Sequence, residues 1–188
     1  MAGYRIAKVA TLYDGWRKVL GFTVQRPEGD TMEREILESD DAAAVLPYDP
    51  QRRTVILVRQ FRVPVMHRQN ESDLLEAIAG LLEGSEPLEC ARREAMEEAG
   101  LRLGSLEPAG TTWSAPGATT ERIHLFLAPY RQADRVAEGG GLAEEHEDIE
   151  VLEIGCAELA RMLDRNEITD LKTLSLAQAL RIRHPALF

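Results

Sequence analysis

Val, Leu, Ile, Phe and Thr recur among polar residues over 4–12 and 16–26, on either side of a short break at Asp14-Gly15, and this predicts two strands joined by a tight turn. Pro27-Glu28-Gly29-Asp30 marks a further turn before the strand-like Met32 to Leu37. The first 40 residues therefore read as a small antiparallel sheet. A sheet that size has few partners for its faces and edges, so it is expected to pack on the main domain or on a second subunit. Thr54-Val55-Ile56-Leu57-Val58 is apolar on both faces, as a central buried strand is, and polar residues return after it at Arg59-Gln60-Phe61-Arg62. A short strand is expected from Leu74 to Ala79, broken by Gly80. From Pro87 to Ala99 the spacing turns helical, with Pro in the first turn, Leu88, Ala91, Ala95 and Ala99 on one face, and Gly100 in the capping position. Strands at 106–113, 122–128 and 149–154 follow, and then two amphipathic helices carrying Leu159, Met162 and Leu163, and Leu171, Leu174, Leu176, Ala179 and Leu180. No internal repeat is visible. The pattern predicts an α+β fold, with an N-terminal antiparallel sheet over 1–40 and a main domain over 41–188.

Composition narrows the class. With 188 residues, 44% hydrophobic and 29% charged, the chain can bury a full core, and no apolar run approaches the roughly 20 residues that span a bilayer. No membrane association is expected. Met1-Ala2-Gly3-Tyr4-Arg5 lacks the apolar stretch of a secretory signal, and Cys90 and Cys156 are the only cysteines, so a cytoplasmic protein with both thiols as small core side chains is expected. A formal net charge of −10 argues against a nucleic-acid partner, which needs clustered Lys and Arg. Phosphorylated small molecules stay within reach, because metal cations or a few arginines can reverse the local potential.

The chemistry concentrates in Gly80 to Leu101, GLLEGSEPLECARREAMEEAGL. On a helix Glu94, Glu97 and Glu98 share one face, and like charges at that spacing cost about 0.2–0.5 kcal/mol per pair. Their bland explanation is a solvated helix face paired with Arg92 and Arg93. The functional one is a cation site: hard carboxylates without Cys or His favour magnesium or manganese over zinc. His67, His124, His146 and His184 form no cluster and are expected to be structural or exposed.

The ordered run Arg93-Glu94-x-x-Glu97-Glu98-x-Gly100-Leu101, with Ala95 in its apolar slot, resembles the second half of the Nudix box. The first half departs by one residue, since Gly80 to Glu86 has the family spacing but six residues rather than seven separate Glu86 from Arg93. Arg59-Gln60-Phe61-Arg62-Val63, Asn70-Glu71-Ser72, Ala79-Gly80-Leu81-Leu82, Gly139-Gly140-Gly141, Glu147-Asp148-Ile149-Glu150-Val151 and Lys172-Thr173 resemble the GDP-mannose hydrolase branch, close to the ADP-ribose pyrophosphatases. The likeness runs from about residue 14 to about residue 180.

The resemblance implies the Nudix fold, a mixed sheet sandwiched between helices with the N-terminal sheet used in dimerisation, and hydrolysis, dependent on magnesium or manganese, of a nucleoside diphosphate sugar, GDP-mannose giving GMP and mannose 1-phosphate, or ADP-ribose giving AMP and ribose 5-phosphate. By it, Glu94, Glu98, Glu147 and the Ala79 carbonyl are metal ligands, Gly80 lies beside the substrate, and Glu97 is a ligand or orients water. The loop ligand could also fall at Glu145, in the acidic run Glu144, Glu145, Glu147 and Asp148. Arg93 is expected to pin the loop through Glu83 or Glu86. Arg62 is expected on the diphosphate, Lys172 in contact with the substrate, and Glu121, after Ser114-Ala115-Pro116-Gly117, on the sugar or the water. Trp16, Glu33, Arg34 and Glu35 are expected at the base and ribose, in a pocket completed across a homodimer. Two readings compete: a Nudix-fold sensor that binds without cutting, and an acidic interaction module without an active site.

Overall fold

The computed structural model describes residues 3–69, 72–142 and 147–188, and within it the chain divides into two compact units. The smaller consists of the residues up to Asp41 together with Trp113–Arg122. Strands β1 (Arg5–Asp14), β2 (Lys18–Gln25) and β3 (Thr31–Glu38) form an antiparallel sheet in that order. Residues 114–121 are clasped to the end of β3: Leu37 N–H donates to the Ala118 carbonyl (2.8 Å), Ser39 N–H to Thr120 Oγ1 (2.9 Å), and Arg122 forks onto Asp41. β1 is exposed along nearly its whole length, with Ile6, Val9, Leu12 and Tyr13 open to solvent.

The larger unit is built on a mixed sheet in the order β10-β5-β4-β9-β8, with β6 added to β5 and β7 to β4. Its strands are β4 (Ala42–Asp49), β5 (Thr54–Phe61), β6 (Asp73–Glu76), β7 (Ile78–Leu81), β8 (Glu107–Trp113), β9 (Arg122–Pro129) and β10 (Ile149–Gly155). β4 and β9 run parallel, whereas β4 with β5 and β7, and β5 with β6 and β10, run antiparallel. Side chains alternate across a strand, so β4 and β5 feed two cores. Ala43, Val45, Ile56 and Val58 pack with Cys90, Ala91, Ala95 and Ala99 of α2 (Pro87–Ala99). Ala44, Leu46, Val55 and Leu57 pack on the other face with Leu159 and Leu163 of α3 (Cys156–Asp164) and Leu176 and Leu180 of α4 (Leu171–Arg183). The sheet is thus held between helices, as the resemblance implies. Among the described residues no helix is long and apolar enough to cross a membrane.

Three local features depart from the sequence reading. β4 was not anticipated, yet every one of its residues is buried. Three alanines and Pro47 give it little strand propensity, and the structure shows why the proline is tolerated. β7 pairs residues 42–45 and β5 pairs 48–49, so Pro47 falls between the two. The Tyr48 carbonyl accepts from Tyr130 N–H on the β9 side (2.9 Å), so strand alternation turns the Pro47 nitrogen toward that gap, where no ladder bond is lost. The single strand expected over Leu74 to Ala79 is two strands: at Ala77 the chain crosses from β5 to β4, its N–H bonded to Thr173 Oγ1 (2.6 Å), and Gly80 lies inside β7 rather than ending it. Finally, α1 (Val63–Gln69) buries no residue, so no apolar period announced it.

Candidate active site

The helix α2 begins immediately after Glu86, with Pro87 in its first turn, and ends at Gly100 in the left-handed region (φ 64°). The box is one residue short here, and the chain absorbs this in a tight turn in which Ser85 N–H donates to the Leu82 carbonyl (2.7 Å). Glu86 serves at the N-cap position through its backbone, its side chain making no cap bond, while its carbonyl accepts from Glu89 and Cys90 (3.0 Å each). Arg93 is expected to pin the loop through Glu83 or Glu86; among the described residues it holds the start of the loop through backbone, and the charge of Glu83 acts on it from a distance. Arg93 donates to the Leu81 carbonyl (3.0 Å) and pairs with Glu94 (2.8 Å) and Glu97 (3.4 Å).

Glu94 and Glu98 both turn toward the sheet and are buried, whereas Glu97 is partly open. Glu94 lies directly against the backbone of Gly80: a Cβ at residue 80 would stand 2.0 Å from Glu94 Oε1. The bare glycine therefore makes room for the carboxylate. The second approach is made by the triple-glycine loop. Gly140 N–H donates to the Glu98 carbonyl (2.8 Å) and Gly141 N–H to the Glu97 carbonyl (3.2 Å), which caps the C-terminal end of α2. Gly141 has φ 82°, and a Cβ there would meet Glu147 Cβ at 2.6 Å, so this loop can bring Glu147 close only with glycine in that place. Glu147 Oε2 accepts from Leu142 N–H (3.1 Å). Glu144 and Glu145, the latter being the other candidate loop ligand, and His146 lie outside the described residues.

Electrostatically, Glu98 is the centre of the arrangement. It is 2% exposed, and its Oε2 is buried with no hydrogen-bond partner among the described residues. Burial first, then the charges of Glu94, Glu147 and Glu76, push its carboxyl up to about 9, against a lowering hydrogen bond from the Ala79 backbone. A carboxylate there costs several kcal/mol unless a proton or a cation neutralises it. No three His, Cys, Asp or Glu side chains among the described residues stand close enough to form a ready-made metal cage. Glu94 is turned to Arg93 and Glu147 to Leu142 N–H. The donor set, carboxylates with an orphaned buried oxygen and peptide carbonyls nearby, nevertheless fits a hard divalent cation.

Beside it stands a cluster that the sequence reading only half anticipated. Arg62 forks onto Glu76, Nε to Oε1 at 2.6 Å and Nη2 to Oε2 at 3.0 Å, and Lys172 Nζ pairs with Glu76 and with Asp170 Oδ2 (3.1 Å). Burial alone would raise the Glu76 pKa, but Arg62 and Lys172 pull it below the usual carboxylate range. Arg62 is expected from the sequence as a diphosphate contact and Lys172 as a substrate contact; Glu76, the partner that joins them, is not among the expected residues. An acid inside the apolar run Leu74-Leu75-Glu76-Ala77-Ile78 was the available signal, because a buried carboxylate must be paired.

The remaining candidates belong to the smaller unit. Trp16 is 90% exposed in the turn after β1, with the Arg17 guanidinium 4.6 Å over its ring. Glu33, Arg34 and Glu35 are exposed on β3, Glu33 accepting from Thr23 Oγ1 (3.1 Å) and Arg34 donating to the Glu33 carbonyl (2.7 Å). Glu121 is half-buried and closes the 114–121 loop through its carbonyl, which accepts from Ser114 N–H (3.2 Å). Of the histidines, His67 is exposed on α1, His124 bonds Thr111 (3.1 Å) and His184 lies between Tyr48 and Glu107. Cys90 and Cys156 are buried and free.

Comparison with known proteins places these features in context. The model of the NUDIX domain matches residues 38–185. A GDP-mannose pyrophosphatase of Cronobacter sakazakii is 41% identical over 165 residues, covering 86% of this chain and 85% of that protein. One of Pectobacterium atrosepticum is 43% identical over 165 residues, covering 86% and 84%. Among solved structures, an ADP compounds hydrolase superposes with a TM-score of 0.78 at 19% identity, covering 99% of this chain and 96% of that one, a likeness of fold.

Proposed function

The chain belongs to the Nudix family, and from that premise we propose that it hydrolyses the diphosphate bond of a nucleoside diphosphate sugar, with GDP-mannose as substrate and GMP and mannose 1-phosphate as products. The observation that carries the reading is the buried, unpartnered Oε2 of Glu98 among the like charges of Glu94 and Glu147, on the helix bearing the box. An interaction module has no use for such an atom; a cation-dependent hydrolase does.

Glu94, Glu98, Glu147 and the Ala79 carbonyl are proposed to hold magnesium or manganese. A divalent ion bound there polarises the diphosphate and lowers the pKa of the attacking water. Glu97, partly open on the same helix, is suited to orient that water. Gly80 leaves the approach to Glu94 free of side chain. Arg62 and Lys172 supply the positive charge that meets the phosphate oxygens, and the outer edge of the Arg62 guanidinium makes no hydrogen bond among the described residues. Glu121 is assigned to the sugar, and Trp16, Glu33, Arg34 and Glu35 to base and ribose. The exposed apolar residues of β1 support a homodimer formed through the smaller unit.

The test is a screen of nucleoside diphosphate sugars, ADP-ribose included, with magnesium and with EDTA, products being resolved by chromatography. GMP release from GDP-mannose that EDTA abolishes is the expected result, and no turnover of any of them sinks the reading. Glu98→Gln should retain the fold and lose at least about a hundredfold in kcat; a variant keeping more than that removes Glu98 from the ligand set.

A further inference from the structure

We propose that Glu76 is a positioning residue for the diphosphate, its two carboxylate oxygens holding Arg62 and Lys172 as one two-cation clamp. The inference rests on the hydrolase reading above. Glu76 ends β6 and is 2% exposed, while the two cations come from elsewhere, Arg62 from the chain just after β5 and Lys172 from the first turn of α4. Each has its inner side occupied. Glu76 takes the Nε and one Nη2 hydrogen of Arg62, leaving three N–H groups, among them the outer fork that matches phosphate. Lys172 shares its donors between Glu76 and Asp170 Oδ2, and Asp170 is itself locked as the N-cap of α4, accepting from Thr173 N–H at 2.9 Å.

The charge balance accounts for the arrangement. Two cations with two carboxylates are neutral together, so Lys172 can stay only 12% exposed without any further anion, already stripped of water when a substrate arrives. A buried ion pair is a poor source of stability, since apolar side chains of equal volume serve as well. Its value lies in orientation: donors fixed beforehand bind a diphosphate without the loss of side-chain freedom that loose ones incur. Both Arg62 and Glu76 also lie within the electrostatic reach of Glu98, so the clamp belongs to the same site as the helix carboxylates.

The experiment compares wild type with Glu76→Gln and Glu76→Asp, alone and with Arg62→Ala and Lys172→Ala together. Steady-state kinetics on GDP-mannose and calorimetric binding of inorganic pyrophosphate are measured, and near-ultraviolet circular dichroism certifies folding. Glu76→Gln should raise KM at least about tenfold with kcat little changed, and weaken pyrophosphate binding in step, because binding common to ground and transition states is lost. In the Arg62→Ala, Lys172→Ala background the same change should add nothing, since Glu76 then has no cation to hold. Glu76→Asp keeps the charge but draws it back by one methylene, and should raise KM as well; it decides the matter if the Gln variant does not fold. KM within twofold of wild type for the folded variants, or an undiminished effect in the cation-free background, overturns the clamp. Failure of the wild type itself on every nucleoside diphosphate sugar overturns instead the functional reading beneath it.

Discussion

Gly80→Ala isolates the approach of one carboxylate from the stability of the fold. The backbone of Gly80 lies outside the left-handed region, within β7, so alanine meets no backbone strain there, and such replacements stabilise by about 0.4–1 kcal/mol when the site is compatible. The new methyl would stand 2.0 Å from Glu94 Oε1, 2.1 Å from Cδ and 2.6 Å from Oε2. Restoring an ordinary contact of 3.4 Å requires the carboxylate to retreat by about 1.4 Å, and what must move is the tip of a flexible side chain rather than backbone. A displacement of about 1 Å in a reacting constellation can cost about a hundredfold in rate. GMP release from GDP-mannose with saturating magnesium should therefore fall by about two orders of magnitude, while the thermal midpoint changes by no more than a few degrees. Gly104→Ala is the control, since a methyl there meets nothing within 4 Å, and it should behave as wild type. The reasoning fails if Gly80→Ala keeps kcat/KM within fivefold of wild type, or if its loss of activity is matched by a loss of fold.

Glu98 makes a second expectation about pH. Its carboxyl is raised from 4.5 to about 9 in the folded, metal-free protein, so between those values the native state holds a proton that the unfolded chain has released. Stability from this group is then greatest at low pH and declines as pH rises, by at most about 1.4 kcal/mol per unit. Urea midpoints in EDTA should be lower at pH 8 than at pH 6, and the difference should shrink in Glu98→Gln; an equal slope in the variant refutes the assignment. Because a ligand carboxyl must lose that proton, magnesium affinity measured by calorimetry should increase over the same range, and a flat profile would count against it. Leu46→Ala, in the centre of β4 and fully buried, should cost about 2–5 kcal/mol in urea unfolding. A cost below about 1 kcal/mol would show that β4 does not anchor the core.

The chain alone determined the features that depend on near neighbours. Glu94, Glu97 and Glu98 fall on one helical face because the period of a helix is local, and Pro87 and Gly100 mark its ends for the same reason. Tertiary structure decided what depends on residues far apart. Ala42 to Ala44 and Pro47 read as no strand at all, and only cover from helices on both faces and a gap between β7 and β5 make them the middle of the sheet. Glu147 meets the field of Glu98 because three glycines fold onto the carbonyl end of α2. Glu76 finds Arg62 14 positions away and Lys172 96 positions away, a distance over which no sequence period can speak. Periodicity records the geometry of a single element, whereas the pairing of buried charges is selected by desolvation, which penalises an unpartnered group only once the elements have closed around it.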